Sequence, residues 1–273
     1  MLRTRSLTSL LVDRGLYAVA EAMRNRADRR KGFAHICVPM NDVIGMRLFS
    51  TGSFEQTQLD GVQDYLDETP IEEDAVFLDV GGNIGVYSIL LRDYFGQIFA
   101  FEPNPVTYEV LKANLVLAGA GNTTAVNKAL SDTQGVVPIF VPRNGNLGWA
   151  TLNETHHEIP VTRTDIACTT LDEFVAANRI DAAKIRLIKI DVEGHETNVI
   201  RGGEKTLSEN RPALLCEVLS DGNGTGLLSH LEKLGYTSFE IFKRDISNIF
   251  STKVRRTPID LSSAGKAALV LAT

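Results

Sequence analysis

Short apolar runs alternate along this chain with stretches whose apolar residues recur at helical spacing. Val76–Leu78 reads as a buried strand closing on Asp79, and Ile98–Phe101 as a second closing on Glu102. Between them Val86, Ile89, Leu90 and Tyr94 predict a helix over Ile84–Phe95 that starts inside a glycine-rich turn. Upstream, Ala34–Pro39 and Val43–Phe49 predict a strand pair around a polar turn at Asn41-Asp42. A helix follows over Phe54–Leu66 with Ser53 as its N-cap. Downstream, Pro105 starts a helix that Gly119 and Gly121 end, and Thr124–Ala129 is a third strand.

Residues 135–170 break the alternation. Val136–Val141, Gly148–Leu152 and Pro160–Ile166 predict short strands of an antiparallel insertion, which holds the lone tryptophan, Trp149, and the pair His156-His157. Adjacent histidines point apart, so this pair reads more readily as solvated loop than as a shared metal or substrate contact. The alternation then resumes. A helix runs from Thr170 to Asn178, a central strand covers Leu187–Ile190, and a helix runs from His195 to Leu207. Strand Ala213–Cys216 closes on Glu217, and the glycine-rich stretch after it has the composition of a lid. Helix Leu227–Leu234 and strands Thr237–Phe242 and Ala267–Leu271 complete the chain, with Arg244–Arg256 irregular.

Composition narrows the class. The 273 residues suit one large α/β domain with additions, and 44% apolar with 23% charged residues is globular in kind. A net charge of −6 argues against nucleic acid as a partner. Cys37, Cys168 and Cys216 lack metal spacing and suit reduced thiols, which points to a cytoplasmic setting. Residues 1–31 hold eight basic and three acidic residues, a local +5 that leaves −11 for the rest. Leu10, Leu11, Leu16, Tyr17, Val19, Ala20 and Met23 can form one helix face. That helix packs on its own domain or a second copy, or else rests on an anionic membrane surface. Its apolar core is too short for a secretory signal, and nowhere is an apolar stretch long enough to span a bilayer.

Chemistry concentrates in two stretches. In the first, Asp79-Val80-Gly81-Gly82-Asn83-Ile84-Gly85 differs from the G-x-G-x-x-G of dinucleotide folds. Asp79 repels a pyrophosphate and suits an ammonium or sulfonium, both of which S-adenosylmethionine carries. Glu102 ends the next strand, where an acid accepts hydrogen bonds from ribose hydroxyls. The plainer reading is that Asp79 only caps its strand. Here FLDVGGNIGVYS, FEPNPVTYEVLKANL, NKALSD and LIKIDVEGHE together resemble the FkbM family of S-adenosylmethionine-dependent methyltransferases, over residues 54–250. The resemblance is most specific at Leu187–Glu196. It implies a Rossmann-like class I methyltransferase fold, α/β, with a mostly parallel seven-stranded sheet and an antiparallel C-terminal hairpin. Residues 1–53 are then an N-terminal extension and 54–273 the methyltransferase domain. It also implies cofactor contacts from Asp79, Gly81, Gly82, Asn83, Gly85, Glu102, Pro103 and Asn104. Ala129 and Leu130 would cover the adenine and Ser131 or Asp132 would bond its amino group, unless Asp132 only serves a turn with Gly135.

In the second stretch, Asp191, Glu193, His195 and Glu196 crowd the end of a buried strand. Like charges so held need a proton, a cation or a substrate to offset them. His195 is the candidate general base for a hydroxyl acceptor, with Asp191 or Glu217 to orient it or share the task. Asp191, which also borders the cofactor, and Glu217 are alternatively ligands for Mg²⁺, or Glu193 and Glu196 merely cap the helix. The resemblance implies O-methylation of a sugar, polyketide or similar small molecule; a homo-oligomer is compatible with it. Two rivals stand: an NAD-dependent oxidoreductase on a similar sheet, disfavoured by Asp79, and a non-catalytic adenosyl-binding scaffold held by the basic N-terminal helix.

Overall fold

A computed structural model describes residues 36–39, 43–51, 54–143, 147–153, 160–219, 223–244, 254–259 and 267–273. The predicted N-terminal helix, Ser53, His156 and His157 lie outside these residues. The first described element corrects an expectation: Val43–Thr51 is a helix, α1, not a strand. Ile44 and Leu48 are one helical turn apart and both pack into the core while Met46 between them is exposed, whereas a two-residue alternation would put all three on one face. Helix α2 (Gln56–Glu68) follows, entered through Glu55, whose backbone is left-handed at φ 47°.

Strand β1 (Val76–Val80) leads into α3 (Val86–Leu90), only five residues long. The predicted longer helix breaks at Leu91 into a single 3₁₀ turn, Arg92–Tyr94. Strand β2 (Gln97–Phe101), helix α4 (Pro105–Leu117) and strand β3 (Thr123–Val126) follow as expected. The third predicted strand then splits. Its last residue joins β4 (Ala129–Leu130), which pairs with β6 (Val161–Thr169) rather than with the main sheet. Strand β5 (Gly135–Pro142) runs antiparallel to β6 and completes a separate three-stranded sheet. Where Gly148–Leu152 was expected as a strand there is a 3₁₀ turn, Leu147–Trp149, and one isolated bridge from Thr151 to Phe140.

The main chain of elements resumes with α5 (Leu171–Ala177), β7 (Ile185–Ile190), α6 (Glu196–Arg201), α7 (Glu204–Asn210) and β8 (Ala213–Leu219). Helix α8 (Asn223–Lys233) begins inside the stretch read as a lid. Strands β9 (Phe239–Arg244), β10 (Val254–Pro258) and β11 (Ala267–Ala272) close the fold. The main sheet has eight strands in the order β10-β9-β11-β8-β7-β1-β2-β3. The five from β3 to β8 are parallel and the last three antiparallel. The eighth, β10, comes from the segment expected to be irregular, where Val254–Pro258 pairs with Arg244–Glu240.

Two apolar layers sandwich this sheet, and strand alternation decides which residue meets which. Leu78, Val80, Ile188, Ile190, Leu214 and Cys216 face α5 to α8. Phe77, Leu187 and Leu215 face α2 and α3, with Leu59, Val62 and Tyr87. Side chains of this size contribute roughly 1.5–3 kcal/mol each when fully buried. The same alternation puts Asp79, Lys189, Asp191 and Glu217 on the α2–α3 face, and the parallel register sets Asp79 opposite Lys189. A row of charge is thereby fixed along the carboxyl end of the sheet.

Candidate active site

Two cavities meet at that edge. The first, about 560 Å³, is lined by Glu102, Pro103, Ala129, Leu130, Ile139 and His195 among others. The second, about 710 Å³, is lined by Phe54, Glu55, Tyr87, Trp149, Lys189 and Glu217 among others. Gly81, Asn83, Gly148, Asp191 and Glu193 belong to both and form the neck between them.

The glycine turn shapes that neck. Gly81 has φ 78°, and a Cβ there would run into the Asp191 carbonyl oxygen, so only glycine lets β1 and the loop after β7 approach this closely. The turn's amides are already engaged. Gly81 and Gly82 both donate to the Phe101 carbonyl, at 3.1 and 2.8 Å, and Gly85 donates to Gly82 at 2.8 Å. Asn83 N–H donates to Glu102 Oε2 at 3.0 Å and Asn104 N–H to Glu102 Oε1 at 2.8 Å. Burial pushes the Glu102 carboxyl up to about 7, against these two amides, which favour the charged form. Each Glu102 oxygen keeps a lone pair for a further donor.

Beneath the neck lies a residue that the sequence reading passed over. Lys189 is 97% buried, with its ammonium 3.1 Å from Asp191 Oδ2, 3.8 Å from Asp79 Oδ1 and 3.3 Å from the Gly81 carbonyl. Its Nζ also sits 5.1 Å from the centre of the Tyr87 ring. Burial works against this ammonium, but Asp191, Asp79 and Glu55 together raise its pKa. A lysine inside the apolar run Leu-Ile-Lys-Ile, two residues before Asp191, was the available signal.

The predicted site residues divide accordingly. Gly81, Asn83, Glu102, Pro103, Ala129 and Asp191 line the first cavity, and Gly82 joins the second. Asp79 lines neither, which corrects the expectation that it faces a ligand. It has no exposed surface and accepts from Ser88 N–H and Oγ–H, at 3.1 and 2.6 Å. The cation it meets is the protein's own Lys189. Gly85 caps α3 and packs against Leu111, outside both cavities. Asn104 is also off the wall: its Oδ1 accepts from Val106 N–H at the start of α4. Ser131 and Asp132 stand behind His195. Ser131 Oγ lies 2.9 Å from His195 Nε2, and Asp132 accepts from Asn198.

His195 borders the first cavity together with Asp191 and not the second, so of its two expected partners Glu217 is not gathered with it there. Burial lowers its pKa, against the opposing pull of Asp132. Asp191 and Glu217 do share the second cavity. Asp191 is engaged by Lys189, and among the described residues no group of three or more His, Cys, Asp or Glu is arranged to hold a metal ion. The Mg²⁺ expectation therefore has no support here. Glu196 acts as the helix-start residue that was foreseen, accepting from Val192 and Gly194 N–H at 3.1 Å each. Glu193 does not: it stands in the left-handed turn before the helix and lines both cavities.

A nucleoside with a cationic amino-acid tail fits this arrangement. The first cavity pairs an acid suited to ribose with apolar walls for a base. Asn83, whose buried Oδ1 has no hydrogen-bond partner among the described residues, lines the neck. The sheet order, the glycine turn and the acid after β2 define the Rossmann-like class I methyltransferase fold. Residues 79–238 match the model of the methyltransferase FkbM domain, and the chain belongs to that family.

Among its relatives is the hexuronic acid methyltransferase AglP of Haloferax volcanii, 34% identical over 134 residues, a match covering 48% of this chain and 51% of that protein. Methyltransferase sdnD of Sordaria araneosa is 29% identical over 152 residues, 46% of this chain and 59% of that one. The match thus spans about half the length of these curated relatives. A solved FkbM methyltransferase from Methylobacillus flagellatus aligns at 15% identity with a TM-score of 0.47, covering 93% of this chain and 58% of that one. Among the described residues no helix is long and apolar enough to cross a membrane.

Proposed function

We propose that this chain binds S-adenosylmethionine and transfers its methyl group to a hydroxyl of a small molecule. The observation that carries the reading is the state of the glycine turn. A dinucleotide fold holds pyrophosphate on free amides of such a turn. Here the amides of Gly81, Gly82, Asn83 and Gly85 already donate within the protein, and carboxylates crowd the neck beyond them. Those features favour a cation over a phosphate and count against the oxidoreductase alternative.

Glu102 would accept the ribose hydroxyls, while Ala129, Leu130 and Ile139 would enclose the adenine. The amino-acid tail would lie along Gly81 and Asn83 at the neck, where the Asp191 carboxylate offers compensating charge. When bound, the sulfonium supplies an activated methyl group and a neutral leaving group. The protein's part is then alignment and removal of the acceptor's proton. The Haloferax volcanii relative is named for hexuronic acids, which supports a sugar hydroxyl as the acceptor class.

Calorimetric titration of the purified protein with S-adenosylhomocysteine and, separately, with NADH tests the reading. Binding of the adenosyl ligand alone is expected. Binding of NADH with no response to S-adenosylhomocysteine would falsify it.

A further inference from the structure

The neck between the cavities is where a sulfonium in the first must face an acceptor in the second, and one ionisable side chain there has no hydrogen-bond partner among the described residues. Asp191 is held by Lys189, and Asn83 cannot take a proton at neutral pH. Glu193 remains. Its backbone is left-handed at φ 53°, a conformation that costs a non-glycine residue of order 1–3 kcal/mol and recurs at active sites. Its carbonyl accepts from Thr151 Oγ–H at 2.7 Å, which ties the loop after β7 to the insertion and fixes where the residue stands.

We propose that Glu193 receives the acceptor's hydroxyl proton, and that the positive charge of bound S-adenosylmethionine is what ionises it for that task. The inference rests on the proposed function. In the step, the acceptor oxygen forms a bond to the methyl carbon as the carbon–sulfur bond breaks. That bond's electron pair passes to sulfur, leaving a neutral thioether, and the hydroxyl proton passes to the Glu193 carboxylate.

The surroundings of Glu193 agree with this. Burial, then Asp191 and Glu196, push its carboxyl up to about 8, with Glu55 acting in the same direction and Lys189 against it. Glu217 on β8 and Tyr87 on α3 complete the ionisable groups facing the second cavity. Without cofactor the group therefore holds its proton at neutral pH, and a cation placed at the neck favours releasing it. A base created only in the loaded enzyme leaves the empty site uncharged at this point.

Proton release on ligand binding tests the proposal without any acceptor. Full-length protein is titrated with S-adenosylmethionine and with neutral S-adenosylhomocysteine at about pH 7.5, in two buffers of different ionisation enthalpy. The wild type should release more protons with the sulfonium ligand. Glu193→Gln should remove most of that difference while binding S-adenosylhomocysteine within about threefold of wild type, and Glu217→Gln should retain most of it. Equal release for the two ligands in the wild type overturns the proposal even if the variant does not fold. So does loss of the difference in Glu217→Gln but not in Glu193→Gln. A wild type that binds neither ligand instead sinks the functional reading beneath it.

Discussion

Replacing Lys189 by methionine removes the cation from a buried acidic row while keeping an unbranched side chain only one atom shorter. Asp191 and Asp79 then lose their partner at 3.1 and 3.8 Å. Stranding one member of a buried ion pair costs roughly 3–5 kcal/mol. Burial already raises the Asp79 pKa, so this carboxyl can escape by taking up a proton, and the lower bound applies, about 3 kcal/mol. At about 2–4 °C per kcal/mol for a chain of this size, the midpoint of thermal unfolding falls by roughly 6–12 °C.

The loss also has a pH signature. A carboxyl whose pKa is higher folded than unfolded binds more protons in the folded state, so stability falls as pH rises between the two values. Lys189 opposes that rise at Asp79, and without it the window widens. Lys189→Met should therefore approach wild-type stability toward pH 5 and diverge from it above neutrality. Adding Asp79→Asn should recover part of the loss, since the stranded group is then neutral. Scanning calorimetry across pH measures all three. A single variant that melts within about 1 °C of wild type at pH 8 refutes the reasoning.

Other consequences are simpler to check. Affinity for S-adenosylhomocysteine should weaken as pH falls through about 7, where Glu102 takes its proton and loses acceptor capacity; Glu102→Gln should flatten this dependence and lower affinity about tenfold by calorimetry. Gly81→Ala should cost at least about 2 kcal/mol in urea unfolding, because φ 78° and the Asp191 carbonyl both oppose a Cβ. Asp172→Ala should cost about 1–2 kcal/mol without changing ligand affinity, since its oxygens accept from Lys205 and Thr206 N–H at the start of α7, and none of these residues lines either cavity.

The parallel core was legible because its strands are apolar runs ending on acids, a pattern local to each segment. Glu102 and Ala129 could be placed on the same basis. Asp79 could not, because sequence alone does not show that β7, six strands later in the chain, brings a lysine opposite it. Only the β1–β7 register reveals that pairing. The segment 43–51 failed for a different reason: Ile44 and Leu48 are compatible with either period over so short a run, and tertiary packing chose the helix. His195 lines the first cavity while Glu217 lines the second, a matter of side-chain direction that spacing does not encode. Glu55 and Tyr87, joined by a 2.8 Å hydrogen bond across 32 residues, carried no local signal at all.

Gly148 belongs to both compartments and comes from the insertion, not from the main sheet and its helices. One short segment is therefore a partition serving two rooms. Grafting a different insertion onto this sheet to reshape the second cavity would reshape the first as well, so under the proposed function turnover and selectivity should change together. Directed evolution confined to that segment should find few variants that shift one and spare the other.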